Sequence, residues 1–216
     1  MRVAFLIPYR PDGGPRDEVF RWVTNRIKFF FPASNVYVGL SPEGEFNRAA
    51  AINDAYDQIL DESVIIINDA DTVWNPTAIV SGYHALMYDA KFVLPYETYH
   101  LLDKASSQNL LNQPHYSIIV RSEYECEQTI YANPDVYHAP PVSGLLMMRS
   151  EDFPRFDERF VGWGEEDVAF VIRTAELLGK PYRTSDSVYH MWHPRSKEYA
   201  QPHYGKNQKL LRKEYL

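Results

Sequence analysis

The sequence predicts an α/β protein built on a doubly wound sheet, and three observations predict it. Short apolar runs of strand length recur along the chain, stretches with apolar residues at helical spacing fall between them, and loops bearing Gly and Pro punctuate both. Strands alternating with helices imply parallel pairing through right-handed crossovers.

Val3 to Ile7 is the first such run. A loop from Pro8 to Pro15 follows, then a helical stretch with Val19, Trp22, Val23, Arg26 and Phe30 at helical spacing. Val36 to Leu40 reads as a second strand. Phe46 to Leu60 reads as a helix with Phe46, Ala49, Ala50, Ile52, Tyr56, Ile59 and Leu60 along one face. Val64 to Ile67 is a third strand. Pro76 opens a helix carrying Ile79, Tyr83, Leu86 and Met87, and Phe92 to Leu94 is a fourth strand. From Tyr96 to Pro141 the pattern breaks into a Tyr-, Pro- and Asn-rich stretch, read as an insertion over the sheet. Ser143 to Met148 restores strand character, Asp167 to Leu178 is a helix stopped by Gly179, and Val188 to Trp192 closes the set.

A chain of 216 residues with 45% apolar and 24% charged residues has the composition of a folded protein, and one domain is expected. The longest apolar runs, Val64 to Ile67 and Val142 to Met148, fall far short of the roughly 20 residues that span a bilayer. The opening Met1 to Ile7 imitates a signal peptide until Pro8 to Asp12 ends it. Cys126 is the sole cysteine, so no internal disulfide forms and a cytoplasmic setting is expected. The net charge of −7 speaks against non-specific binding along nucleic acid. Between Pro194 and Leu216, however, Lys and Arg exceed Glu by four, a basic tail whose charge suits contact with a polyanion but which reads first as an ordinary solvated helix face on Lys206 to Leu216.

In open α/β sheets ligands bind beyond the carboxyl ends of the strands, so the loops after Ile7 and Ile67 should border one crevice. Asp69-Ala70-Asp71 follows Ile67 closely, and in an extended chain residues two apart face the same way. Paired carboxylates suit Mg²⁺ or Mn²⁺ bound together with a diphosphate. His190-Met191-Trp192-His193 ends the last strand; an imidazole there would favour Mn²⁺, and residues three apart cannot both face one point on an ideal strand. Gly162-Trp163-Gly164-Glu165-Glu166-Asp167 places two flexible residues around a large aromatic and three carboxylates at a helix start. Trp163 suits a sugar-stacking platform, and a neighbouring carboxylate suits a general base whose pKa the helix end would lower. Arg10 and Arg48 stand in loops expected at the same crevice, where Arg suits phosphate.

Taken in order, Ile7-Pro8-Tyr9-Arg10, Phe46-Asn47-Arg48-Ala49, Asp69-Ala70-Asp71, Gly162 to Asp167 and His190 to Pro194 resemble the β-1,4-galactosyltransferase family. They also resemble the catalytic domains of chondroitin polymerases and polypeptide N-acetylgalactosaminyltransferases. The resemblance implies a GT-A fold, a single Rossmann-like mixed sheet flanked by helices, spanning 1–216. It divides into a nucleotide-binding half (1–95), an insertion or acceptor region (96–141), an acceptor and catalytic half (142–193) and the basic tail (194–216).

By resemblance, Pro8, Tyr9, Arg10, Phe46, Arg48 and Asp69 hold a UDP-sugar donor, and Asp71, with Asp69 nearby, binds Mn²⁺ or Mg²⁺. The metal-binding imidazole is His190 in the polymerase and peptide-transferase pattern and His193 in the galactosyltransferase one. Asp167 is implied as catalytic base, with Glu166, Trp163 and Gly164 meeting the acceptor. The chain departs from the pattern at Glu165, where the family has Gly, and at Val168 and Ala169, where galactosyltransferases have acidic residues. The implied activity is transfer of a hexose or N-acetylhexosamine from a UDP-sugar, with inversion, to a hydroxyl of a glycan, a protein or a modified nucleobase. The alternatives are a retaining peptide-transferase-like enzyme and a non-catalytic UDP-sugar-binding domain.

Overall fold

A computed structural model of the chain describes residues 2–162, 164–194 and 197–216, with backbone alone at 197–202. The first strand, β1 (Val3–Pro8), runs into helix α1 (Pro15–Phe30), whose first position is a Pro, where no intrahelical N–H partner is lost. Strand β2 (Asn35–Gly39) leads to α2 (Arg48–Asp57), capped by the Asn47 side chain accepting from Ala50 N. The helix is shorter than the apolar pattern suggested, because Phe46 lies in the preceding loop and the chain leaves the helix after Asp57. A Cβ on Gly39 would stand 1.7 Å from the Ala51 carbonyl oxygen, so α2 lies on the sheet at a distance only glycine permits.

Strand β3 (Val64–Asn68) is buried at every position, as expected of a strand covered on both faces. After a turn comes β4 (Thr72–Trp74), which the sequence reading missed, then α3 (Pro76–Tyr88) and β5 (Phe92–Leu94). The Tyr96 to Pro141 stretch holds β6 (Thr98–Leu102), α4 (Lys104–Leu111) and β7 (Cys126–Tyr131). Then follow β8 (Leu145–Arg149), α5 (Glu166–Leu178), β9 (Tyr182–Arg183), β10 (Ser187–His190) and α6 (Lys197–Glu214).

Among the described residues, the main sheet has six strands in the order β2-β1-β3-β8-β5-β9. β1 pairs parallel with β2 and β3, while β8 runs antiparallel between β3 and β5, so the sheet is mixed. The expected insertion forms part of a second sheet, ordered β4-β10-β6-β7. Both sheets contribute to one buried apolar cluster, from Phe5 and Ile66 to Tyr99 and Val188. The helix expected to be merely solvated is docked: Leu211 of α6 packs in a smaller cluster with Phe160, Ala169 and Ile172. No helix among the described residues is long and apolar enough to cross a membrane.

Candidate active site

The Asp-Ala-Asp segment is the link between the two sheets. β3 ends the main sheet at Asn68, and β4 opens the second at Thr72. Thr72 N donates to the Asp69 carbonyl at 3.1 Å, closing a turn over residues 69–72. In a turn the two-residue alternation of an extended chain does not hold. Asp69 and Asp71 accordingly take different partners, whereas the extended-strand argument expected both carboxylates to face one ligand.

Asp71 turns toward the end of β10. The antiparallel register puts His190 opposite Thr72, and Met191 N continues the pairing by donating to the Asp71 carbonyl at 2.8 Å. His190 Nε2 is 3.5 Å from Asp71 Oδ1, and His193 Nε2 is 3.3 Å from Oδ2. The strand stops at His190 and Trp192 N bonds Ser107 Oγ of α4 at 2.7 Å, so the chain leaves its extended course and both imidazoles converge. One ligand atom from each of Asp71, His190 and His193 lies within 4.8 Å of the other two. One carboxylate oxygen and two imidazole nitrogens, largely shielded from water, form a donor set suited to a divalent transition-metal cation. Burial alone would raise the Asp71 carboxyl, but His190, His193 and Arg16 hold it well below the usual carboxylate range.

Arg16, which the sequence reading passed over, stands in the first turn of α1 with Nη2 3.8 Å from Asp71 Oδ2. A cation there opposes the helix dipole, an anomaly that could have singled it out. It also joins the loop after β1 to the loop after β3, as the crevice argument required.

Asp69 turns the other way. Its Oδ1 accepts from Arg48 Nε at 2.7 Å, and Arg48 Nη2 lies in ion-pair contact with the same oxygen at 2.7 Å. Arg48 Nη1 in turn donates to Asp167 Oδ1 and lies 3.7 Å from Glu166 Oε1. Three carboxylates thus surround one guanidinium. Glu166 and Asp167 occupy the first turn of α5, where the dipole was expected to lower the pKa of the candidate base. The structure reverses that expectation. Burial pushes the Asp167 carboxyl well above its ordinary value against the pull of Arg48, and Glu166 and Asp69 add to the rise. Glu166 is raised too, by burial above all, and its buried Oε2 has no hydrogen-bond partner among the described residues.

Arg10 does not reach this group; it bonds Gly44 O, Ser41 Oγ and Pro42 O and lies over the Phe46 ring at 5.5 Å, bracing the loop before α2. Tyr9 is 5% exposed, with its ring stacked on Phe20 at 3.9 Å and its hydroxyl donating to Asp17. Pro8 is the buried last residue of β1. Half-buried Phe46 accepts from Gly162 N at 3.1 Å, joining the loop before α2 to the loop before α5. Gly162 and Gly164 have φ of 75° and 100° and Glu165 has 76°, so the position where the family pattern has Gly is indeed left-handed. Asn207 of α6 donates to Val161 O and Gly164 O and pins this loop from outside, a role with no signature in the sequence. Trp163 lies outside the described residues.

No protein-family model matches the chain, and no curated protein matches it in sequence. Solved structures do. The chain is similar to the catalytic domain of Drosophila β1,4-galactosyltransferase 7 in complex with xylobiose, with a TM-score of 0.54 and 16% identity over 96% of this chain and 79% of that one. It is also similar to S. aureus TarS, with a TM-score of 0.51 and 10% identity over 99% of this chain and 39% of that one. The fold is that of GT-A glycosyltransferase catalytic domains.

Proposed function

We propose that this GT-A fold is a divalent-metal-dependent glycosyltransferase that moves a hexose or N-acetylhexosamine from a UDP-sugar to an acceptor hydroxyl with inversion. The observation that carries the reading is the junction of the two sheets, where one short turn sends Asp71 to two imidazoles and Asp69 to the Arg48, Glu166 and Asp167 group.

On this reading Asp71, His190 and His193 would hold the cation, and two imidazoles favour Mn²⁺ over Mg²⁺. When bound, the cation supplies charge neutralisation for the departing diphosphate. Arg16 adds a positive charge beside the cation site. Pro8, Tyr9, Arg10 and Phe46 shape the wall for the nucleoside, with Tyr9 and Arg10 bracing it from within. Asp167 takes the proton of the acceptor hydroxyl. The hydroxyl oxygen bonds the anomeric carbon as the carbon–oxygen bond to UDP breaks and UDP leaves with the electron pair. A carboxylate raised by burial is a stronger base than one at its ordinary value, which suits that role. Glu166, next to Asp167 on the same guanidinium, is assigned to the acceptor. Gly164 borders the acceptor side, and the acceptor role of Trp163 rests on the resemblance alone. The whole chain acts as one domain, with the second sheet and α6 framing the acceptor side.

The test is UDP release from a panel of UDP-sugars with Mn²⁺, with saccharides, hydroxyl-bearing peptides and hydroxymethylated nucleic acid as acceptors. Release from one donor, lost on chelation and yielding a product of inverted anomeric configuration, supports the reading. Donor binding with no UDP release from any pair would leave a binding domain instead.

A further inference from the structure

We infer that Arg48 is a positioning residue of the catalytic half and not a ligand of the donor's phosphates: it is the shared counter-ion that fixes Glu166 and Asp167 against Asp69. This rests on the glycosyltransferase reading and assigns one residue within it.

The geometry carries the inference. A guanidinium has five N–H donors on three nitrogens in a rigid fork. Here Nε and Nη2 both address Asp69 Oδ1, and Nη1 addresses Asp167 with Glu166 behind it. The Phe156 ring centroid lies 5.8 Å from the Cζ, and the side chain is only 13% exposed. Nε and Nη1 therefore already donate to carboxylates, and Nη2 lies against Asp69 Oδ1 as well.

Electrostatics agrees. Three carboxyl groups share the one guanidinium, so little of its positive charge is left to attract a diphosphate. Across the same turn, Arg16 and two imidazoles face the single carboxyl of Asp71.

The backbone supplies the reason for the placement. Arg48 is the first residue of α2, fixed by the Asn47 cap. Asn47 Nδ2 donates to Glu158 O at 2.7 Å, and Asn47 forms a bridge with Gly162. The start of α2 is thereby tied to the segment that leads into Glu166 and Asp167. Arg48 is held by the same frame that holds the carboxylates it orients.

The experiment uses the full chain with Arg48→Gln and Arg48→Lys. Calorimetry gives the Kd of UDP with Mn²⁺, and donor turnover gives kcat as a function of pH. A positioning role predicts a UDP Kd within about threefold of wild type and a kcat at least 100-fold lower in Arg48→Gln. It also predicts an acidic limb moved to higher pH, as Asp167 loses its counter-ion, and partial recovery in Arg48→Lys. A UDP Kd weakened tenfold or more, with kcat within threefold and the limb unmoved, overturns it. If Arg48→Gln does not fold, Arg48→Lys, which keeps the charge but not the fork, decides by the same criteria. If the wild-type chain releases no UDP from any donor, the glycosyltransferase reading fails by itself. Arg48 is then decided by titrating ¹³C-labelled carboxyls in the folded variant: midpoints of Glu166 and Asp167 one pH unit or more higher support the positioning role, and unmoved midpoints overturn it.

Discussion

Asp69 and Asp71 are two residues apart and serve different partners: Asp71 meets His190 and His193, whereas Asp69 meets Arg48. On the proposed reading the turn between them divides a cation-binding side from a proton-handling side, and each side makes its own prediction.

On the first side, both imidazoles are expected to count. Asp71→Ala should weaken Mn²⁺ binding by a factor of about 100 or more, and His190→Ala and His193→Ala by about 10–100 each, as removal of a ligand or its support does. Calorimetry with Mn²⁺ alone checks this. A His variant that binds like wild type is not a ligand.

On the second side, activity and stability should move in opposite directions. The folded-state pKa of Asp167 is raised, so the contribution of this group to stability is present at low pH and is lost as pH rises above the ordinary carboxylate range. Asp167→Asn keeps an acceptor for Arg48 without the ionisable group. It should lower turnover by about 100-fold or more yet raise Tm at pH 7 by about 2–4 °C, roughly 1 kcal/mol. Calorimetric melting beside a turnover assay checks both, and an unchanged turnover would remove Asp167 as the base.

Glu165 adopts φ 76°, a conformation that costs a side-chain-bearing residue about 1–2 kcal/mol. Glycine removes that strain but gains freedom in the unfolded chain. Glu165→Gly is therefore expected to stabilise the fold by about 0.5–1 kcal/mol, the difference between these terms. Denaturant unfolding of the two chains checks it.

Far from the site, Glu62 governs acid stability. Burial works to raise its carboxyl, but hydrogen bonds from Asn35, Tyr37 and backbone amides prevail and bring it down to about 2. A depressed folded pKa stabilises above the unfolded value near 4.5, and that stability is lost as pH falls from there through about 2. Glu62→Gln should cost on the order of 2 kcal/mol at pH 7 and flatten the decline between pH 4.5 and 2. Urea titrations at stepped pH measure both quantities.

β1, β2, β3 and β5 and the helices α1 to α3 were legible because each carries an apolar run or a helical period: β3 is apolar from Val64 to Ile67, and α1 places Val19, Trp22, Val23 and Ile27 on its buried face. β4 and β9 were not legible, since Thr72-Val73-Trp74 and Tyr182-Arg183 form neither an aliphatic run like Phe92-Val93-Leu94 nor a stretch long enough to show a period. Nor was the second sheet, whose strands come from residues 72 to 190 and pair only after the chain has folded back.

By itself, the sequence marked Asp69, Asp71, Glu166, Asp167, His190 and His193 as candidates and the sheet ends at which they emerge, though not Arg16, because periodicity and loop chemistry are local. Only the tertiary structure decided how they are shared. Register against β4 brought His190 beside Asp71, and a bend after it brought His193 as well. A turn sent Asp69 to Arg48, and burial raised Asp167 against the dipole of its own helix. Each of these depends on contacts between segments remote along the chain and on the water those contacts exclude, neither of which a local pattern encodes.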